Sequence, residues 1–192
     1  MRMMRMACML AAASAFTAFQ ASAQEEHRQL GAHVHGHGHL NIAVEGKTVS
    51  MELEVPGADI VGFEHEPSTQ EQRSAIDEAR AKLANGLALF VPAEKAGCEL
   101  NQVKVTMKAE EEEEHGDHPA DAKEEGEHHH SEFHAEYAMQ CSSLSRLTSM
   151  TFEYFNAFAG AQELTVQVIT PKGQSSFEVK RDSPDLDLKG IM

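Results

Sequence analysis

The strictest constraint in this chain is a run of period-two alternation broken once. Leu40, Ile42 and Val44 alternate with Asn41, Ala43 and Glu45, and after Gly46-Lys47 the pattern resumes with Val49, Met51, Leu53 and Val55 against Thr48, Ser50, Glu52 and Glu54. Alternation on both sides of a two-residue break specifies a β-hairpin, and glycine at the first turn position suits a type II′ turn. The turn sets the register. With Glu45 opposite Thr48, the pairs Val44–Val49, Ile42–Met51 and Leu40–Leu53 share the core face. Asn41–Glu52 and His39–Glu54 share the other face.

That second face carries the chemistry. His33, His35, His37 and His39 sit at every second position and run into the hairpin with the same parity as Glu54. Imidazole is the commonest metal ligand, so a histidine row ending beside a carboxylate is a candidate cation site. Strand geometry limits it: two residues advance roughly 6.6 Å and the whole row covers about 20 Å, too far for one ion. Either two ions lie along the row, or the chain kinks at Gly36 or Gly38 so that one ion takes two or three histidines. His65, between Glu64 and Glu66 in the loop from Pro56 to Pro67, is a further candidate ligand. The plain alternative is a solvated histidine arm with an ordinary His–Glu pair.

The first 23 residues are not expected to join the fold. Arg2 and Arg5, an apolar run from Ala7 to Phe19 and then Ala21-Ser22-Ala23 form a secretory leader cleaved after Ala23. The run is too short to span a bilayer. Without the leader's two arginines, 14 Lys+Arg face 31 Asp+Glu, a net charge of −17. Such a chain repels nucleic acid and anionic lipid and attracts cations. Cys98 and Cys141 then remain, and in an exported protein such a pair reads as a disulfide. It closes a loop of about 44 residues, for which chain entropy gives ~4 kcal/mol.

Further along, Ser68-Thr69-Gln70-Glu71 fits a capping box, and Ile76, Ala79 and Leu83 follow at helical spacing. Val103, Val105 and Met107, and then Phe133, Ala135, Tyr137 and Met139, alternate as two strands. Between them residues 110–132 hold eleven acids and His115, His118, His128, His129 and His130, with no periodic apolar residue. Composition of this kind does not bury enough surface to order itself, so about 109–132 is expected to be a disordered insertion at a hairpin tip. Its histidines, with His134 beyond it, form a secondary set of metal ligands, or else the segment is only a solubilising loop. Phe152, Phe155 and Phe158 suggest a short helix within Ser142–Gly160. Leu164 to Val168 and Phe177 to Val179 form a last hairpin about Pro171-Lys172-Gly173, and the tail from Asp182 is expected to be peripheral. The fold class is α+β: a mostly antiparallel sheet of about six strands from three hairpins, with helices on one side.

Several stretches together resemble a known family. His33-Val34-His35-Gly36-His37-Gly38-His39-Leu40, Leu53-Glu54-Val55-Pro56, Val61-Gly62-Phe63-Glu64-His65-Glu66-Pro67, Ala96-Gly97-Cys98, the His/Glu-rich insertion and Thr170-Pro171-Lys172-Gly173-Gln174 look like the ZrgA family of zinc-regulated, zinc-binding proteins of the bacterial periplasm. The resemblance implies Zn²⁺ binding and a role in zinc uptake beside a zinc ABC importer and its solute-binding protein. It also strengthens His65 as a ligand candidate.

The functional reading is an exported protein that captures or buffers Zn²⁺. Nickel or copper sequestration is the alternative, since histidine and carboxylate ligands do not exclude those ions. An enzyme is not expected. Glu54 or Glu64 could act as a base at a catalytic zinc, but the chain has no H-E-x-x-H, nucleophile elbow or nucleotide loop.

Overall fold

The structure is a computed structural model that describes residues 34–109 and 130–192. The expected leader, His33, and the insertion with His115, His118, His128 and His129 lie outside the described residues. Strand β1 (His37–Glu45) pairs antiparallel with β2 (Thr48–Pro56) in the register set by the turn, with His39 opposite Glu54 and Glu45 opposite Thr48. Gly46 has φ 59° while no described non-glycine residue has a positive φ, the combination a type II′ turn requires.

Two more hairpins flank this one. Strands β4 (Cys98–Ala109) and β5 (Ser131–Cys141) form one, and β7 (Glu163–Thr170) and β8 (Gly173–Lys180) the other. The six-stranded sheet runs β4-β5-β2-β1-β7-β8. All neighbours are antiparallel except β1 and β7, which pair in parallel from His37–Glu163 to Ala43–Ile169. Strands β4 and β5 pair as far as Ala109–Ser131, so ordered pairing reaches further into the His/Glu-rich stretch than its composition suggests. At the other end of that hairpin Cys98 and Cys141 face each other in register and are joined by a disulfide.

One face of the sheet is core. Leu40, Ile42, Met51, Leu53, Phe133, Ala135, Leu164 and Val166 are all buried there. The long helix, labelled α2 (Gln70–Leu83) because a short helix α1 (Gly57–Val61) precedes it, buries Ile76, Ala79 and Leu83. Its capping box uses Thr69 and Gln72, one residue later than Ser68 and Glu71. A single-turn helix α3 (Gly86–Leu89) follows, and the Tyr137 hydroxyl donates to the Leu83 carbonyl at 2.9 Å to close the end of α2.

One expectation is narrowed and another corrected. The short helix expected within Ser142–Gly160 is the single turn α4 (Tyr154–Ala157), which carries only Phe155 of the three phenylalanines; a 3₁₀ turn and strand β6 (Ser149–Phe152) precede it. The tail is not peripheral: β9 (Asp185–Asp187) pairs with β6, and β6 pairs with β3 (Phe90–Pro92), a second sheet in the order β3-β6-β9. The reason is burial. Phe152, Phe155 and Phe158 enter the core beside Phe90 and Tyr154, with Phe90 and Phe152 edge to face at 5.4 Å, and Leu186 and Leu188 close over them. Two leucines among acids carry too little periodicity to be read as a strand.

Gly38, one of the two glycines at which a kink was expected, lies in regular strand. A Cβ there would stand 2.4 Å from Val55 Cγ1 and 2.9 Å from Leu164 Cδ2. Gly38→Ala is therefore expected to destabilise the protein by about 1–3 kcal/mol through overpacking, measured by urea denaturation.

Candidate metal centre

The histidine row does not continue straight. The His37 amide donates to the Val34 carbonyl at 3.0 Å, closing a tight turn in which Gly36 holds φ 86°. Glycine at the third position is what a type II turn demands. The Gly36 amide donates to Asp59 Oδ1 at 2.7 Å, and the Gly36 carbonyl accepts from the amides of Gln162 and Glu163, each at 2.8 Å. The bend sends consecutive histidines to different carboxylates. His35 Nε2 lies 3.2 Å from Glu64 Oε1, and His37 Nδ1 lies 3.6 Å from Glu163 Oε1, whose other oxygen takes Lys180 Nζ at 3.2 Å. His39 stands exposed, opposite Glu54 on one side and Thr165 on the other.

Glu64 is the most enclosed of these meeting points. Helix α1 ends at Gly62, left-handed at φ 85°, and the chain then turns Glu64 back toward the start of β1. Its carboxylate is only 11 % exposed and carries an imidazole on each oxygen: His35 at 3.2 Å on Oε1, and His130, just ahead of β5, at 2.6 Å from Nδ1 to Oε2. Three segments remote in sequence therefore converge on one carboxylate. Burial pushes the Glu64 carboxyl up, but the hydrogen bond from His130 and the charges of His35 and His130 outweigh it, leaving Glu64 below its ordinary range. Asp59 moves the other way. Burial raises it, and the Gly36 amide and the nearby His35 only partly offset that.

A second meeting point lies on the polar face of the sheet. His134 Nε2 is 3.2 Å from Glu132 Oε2, and His134 Nδ1 is 3.8 Å from Glu54 Oε1. The pairings Glu54–His134 and His39–Glu54 put His39, Glu54 and His134 in one row across three strands. His134 was grouped with the insertion in the sequence; it is a strand residue of β5. His65 is not drawn to either cluster. Its ring stacks on Phe63 at 5.0 Å, Nδ1 meets the Glu66 carbonyl at 2.9 Å and Nε2 meets Gln72 Nε2 at 3.4 Å.

Imidazole nitrogens and carboxylate oxygens bind zinc at about 2.0–2.2 Å. The groups around Glu64 stand at hydrogen-bond spacing, and among the described residues no three His, Cys, Asp or Glu side chains are gathered in metal-holding geometry. Two imidazoles and a carboxylate are donor types that zinc accepts once they are deprotonated. A cavity of 380 Å³ lined by Glu64, Ile76, Met107 and Ser131 opens beside the carboxylate, giving it a solvent approach.

Glu64 was legible only as a neighbour of His65 and a possible base. Asp59, Glu132 and Glu163 were not singled out at all. Asp59 lies in a five-residue helix inside what reads as loop, and its partner is a backbone amide 23 positions away. Glu132 sits at the end of an acidic run that composition assigns to solvent, yet it is buried.

The lowered Glu64 carboxyl predicts a direction. A carboxylate held below its unfolded value stabilises the fold above that value, and the contribution is lost as pH falls through the folded one. The advantage of the metal-free protein over its Glu64→Gln variant should persist down to the ordinary value of 4.5 and be lost below it. Urea denaturation across pH 7 to 3 checks this; a loss complete by pH 5 contradicts it.

Residues 32–188 match the family model described as ZrgA family zinc uptake protein. No curated protein matches the chain. No helix among the described residues is long and apolar enough to cross a membrane.

Proposed function

This chain belongs to the ZrgA family of zinc uptake proteins, and on that footing we propose that it captures Zn²⁺ at the Glu64 meeting point. His35 and His130 supply nitrogen ligands and Glu64 an oxygen, leaving a fourth position for water or a partner's ligand. The observation that carries this reading is one enclosed carboxylate with an imidazole on each oxygen. The row of His39, Glu54 and His134 is a second site, and the histidines of the insertion (His115, His118, His128 and His129), with His33, serve as a collector. His37, held by Glu163, and His65, held by its own loop, are not needed as ligands.

In this reading the protein works in the periplasm, after loss of its leader, and passes zinc to the solute-binding protein of a zinc ABC importer. An ion with an open coordination position exchanges readily, which suits relay more than storage. The net charge of −17 without the leader draws cations to the surface generally, while imidazole ligands select against calcium and magnesium. No step of this function requires catalysis.

The test is zinc titration of the leaderless chain by native mass spectrometry, with nickel and copper in parallel. Glu64→Ala is expected to lose one zinc equivalent or bind it about tenfold or more weakly, and affinity should fall as pH passes down through the ordinary imidazole range. Unchanged stoichiometry and affinity in Glu64→Ala would overturn the assignment. Preference for nickel over zinc at that equivalent would favour sequestration of other metals.

A further inference from the structure

Asp59 is a carboxylate drawn out of water, 5 % exposed in a helix of one and a half turns. Desolvating a carboxylate is unfavourable unless it is hydrogen-bonded, and here Oδ1 takes the Gly36 amide at 2.7 Å. Gly36 is in turn gripped from the opposite side, where its carbonyl receives the amides of Gln162 and Glu163. The loop before β7 is packed flush on α1: a Cβ at Gly160 would stand 2.6 Å from the Asp59 carbonyl oxygen. The residue so clamped is the one between His35 and His37.

Resting on the reading of Glu64 as the zinc centre, we propose that Asp59 is its positioning residue. Its carboxylate anchors the Gly36 amide and so holds His35 over Glu64, without itself contacting the ion. The geometry favours this over a ligand role, because Oδ1 is already committed to a short, charge-assisted bond with the backbone. It also accounts for a buried acid in α1, a helix that has no side-chain cap. Without the anchor, the His35 turn keeps the carbonyl side of Gly36, the start of β1 and the His35–Glu64 contact, but nothing holds the Gly36 amide. The imidazole must then be ordered anew when the ion binds, and that ordering weakens affinity.

The experiment uses Zn²⁺ alone, the leaderless chain and competition with a chromogenic chelator, on Asp59→Ala, Asp59→Asn and Glu64→Ala. Asparagine keeps an oxygen that accepts from Gly36; alanine does not. Asp59→Ala is expected to weaken zinc binding about 10–100-fold and Asp59→Asn to stay within about threefold of the parent, as for partners that orient a ligand. The Gly36 amide proton, followed by NMR, should shift strongly in the alanine variant and little in the asparagine one. Equal loss in both Asp59 variants would make Asp59 a ligand and overturn the proposal. A lower melting temperature in Asp59→Ala with parental zinc affinity would reduce it to a fold residue and overturn it as well. If Asp59→Ala weakens binding while Glu64→Ala does not, the zinc ligands lie elsewhere on the clamped turn and only the Glu64 reading falls. If Glu64→Ala weakens binding and Asp59→Ala does not, only the Asp59 proposal falls.

Discussion

Everything in this fold hangs on β1 having a hydrogen-bonded neighbour on each side. Antiparallel β2 and parallel β7 hold it at the middle of the six-stranded sheet. Gly38 lets side chains of both flanking strands close over it, with Val55 and Leu164 in the space a Cβ would need. The antiparallel pairing of β2 with β5 joins the first two hairpins, and the parallel pairing of β1 with β7 adds the third to the same sheet. That parallel pairing also brings Gln162 and Glu163 against Gly36, so the ladder that builds the core fixes the turn that carries the histidines.

A consequence is that imidazoles and carboxylates meet at the ends of strands, where the sheet stops and short helices begin. Glu64 arrives from the end of α1, His35 from the turn ahead of β1 and His130 from the residue ahead of β5. Each pair is a compromise. Burial opposes a carboxylate's charge, and the imidazoles beside it restore that charge. A cation would do the same more strongly, which is the physical basis of the proposed zinc site. The disulfide holds one end of the β4–β5 hairpin, and His130, which meets Glu64, lies just ahead of β5 at the other end.

The register His39–Glu54 was legible because a two-residue turn admits one pairing and a one-residue slip would expose Leu40, Ile42 and Val49. The three hairpins and the Cys98–Cys141 bridge were legible for related reasons, a local alternation and a lone cysteine pair. The sheet order was not, since nothing in β1 or β7 alone marks them as partners. Phe152, Phe155 and Phe158 misled because spacing by three reads as helix, whereas a strand end, a helical turn and a loop deliver those rings to the same core.

For the site the division is sharper. The sequence by itself determined that histidines at alternate positions lead into a strand, that Glu54 faces His39, and that the chain is acidic enough to gather cations. These are properties of neighbours, of a turn and of composition, all decided within a few residues. Only the tertiary structure decided that His35 leaves the row for Glu64, that His130 joins it, that His134 belongs to the sheet, and that Asp59 holds Gly36. Those meetings depend on a parallel strand pairing 126 positions apart in register, from His37 to Glu163, and on a buried carboxylate seeking a donor. No local pattern encodes either, because what selects them is the burial and hydrogen bonding of the assembled chain.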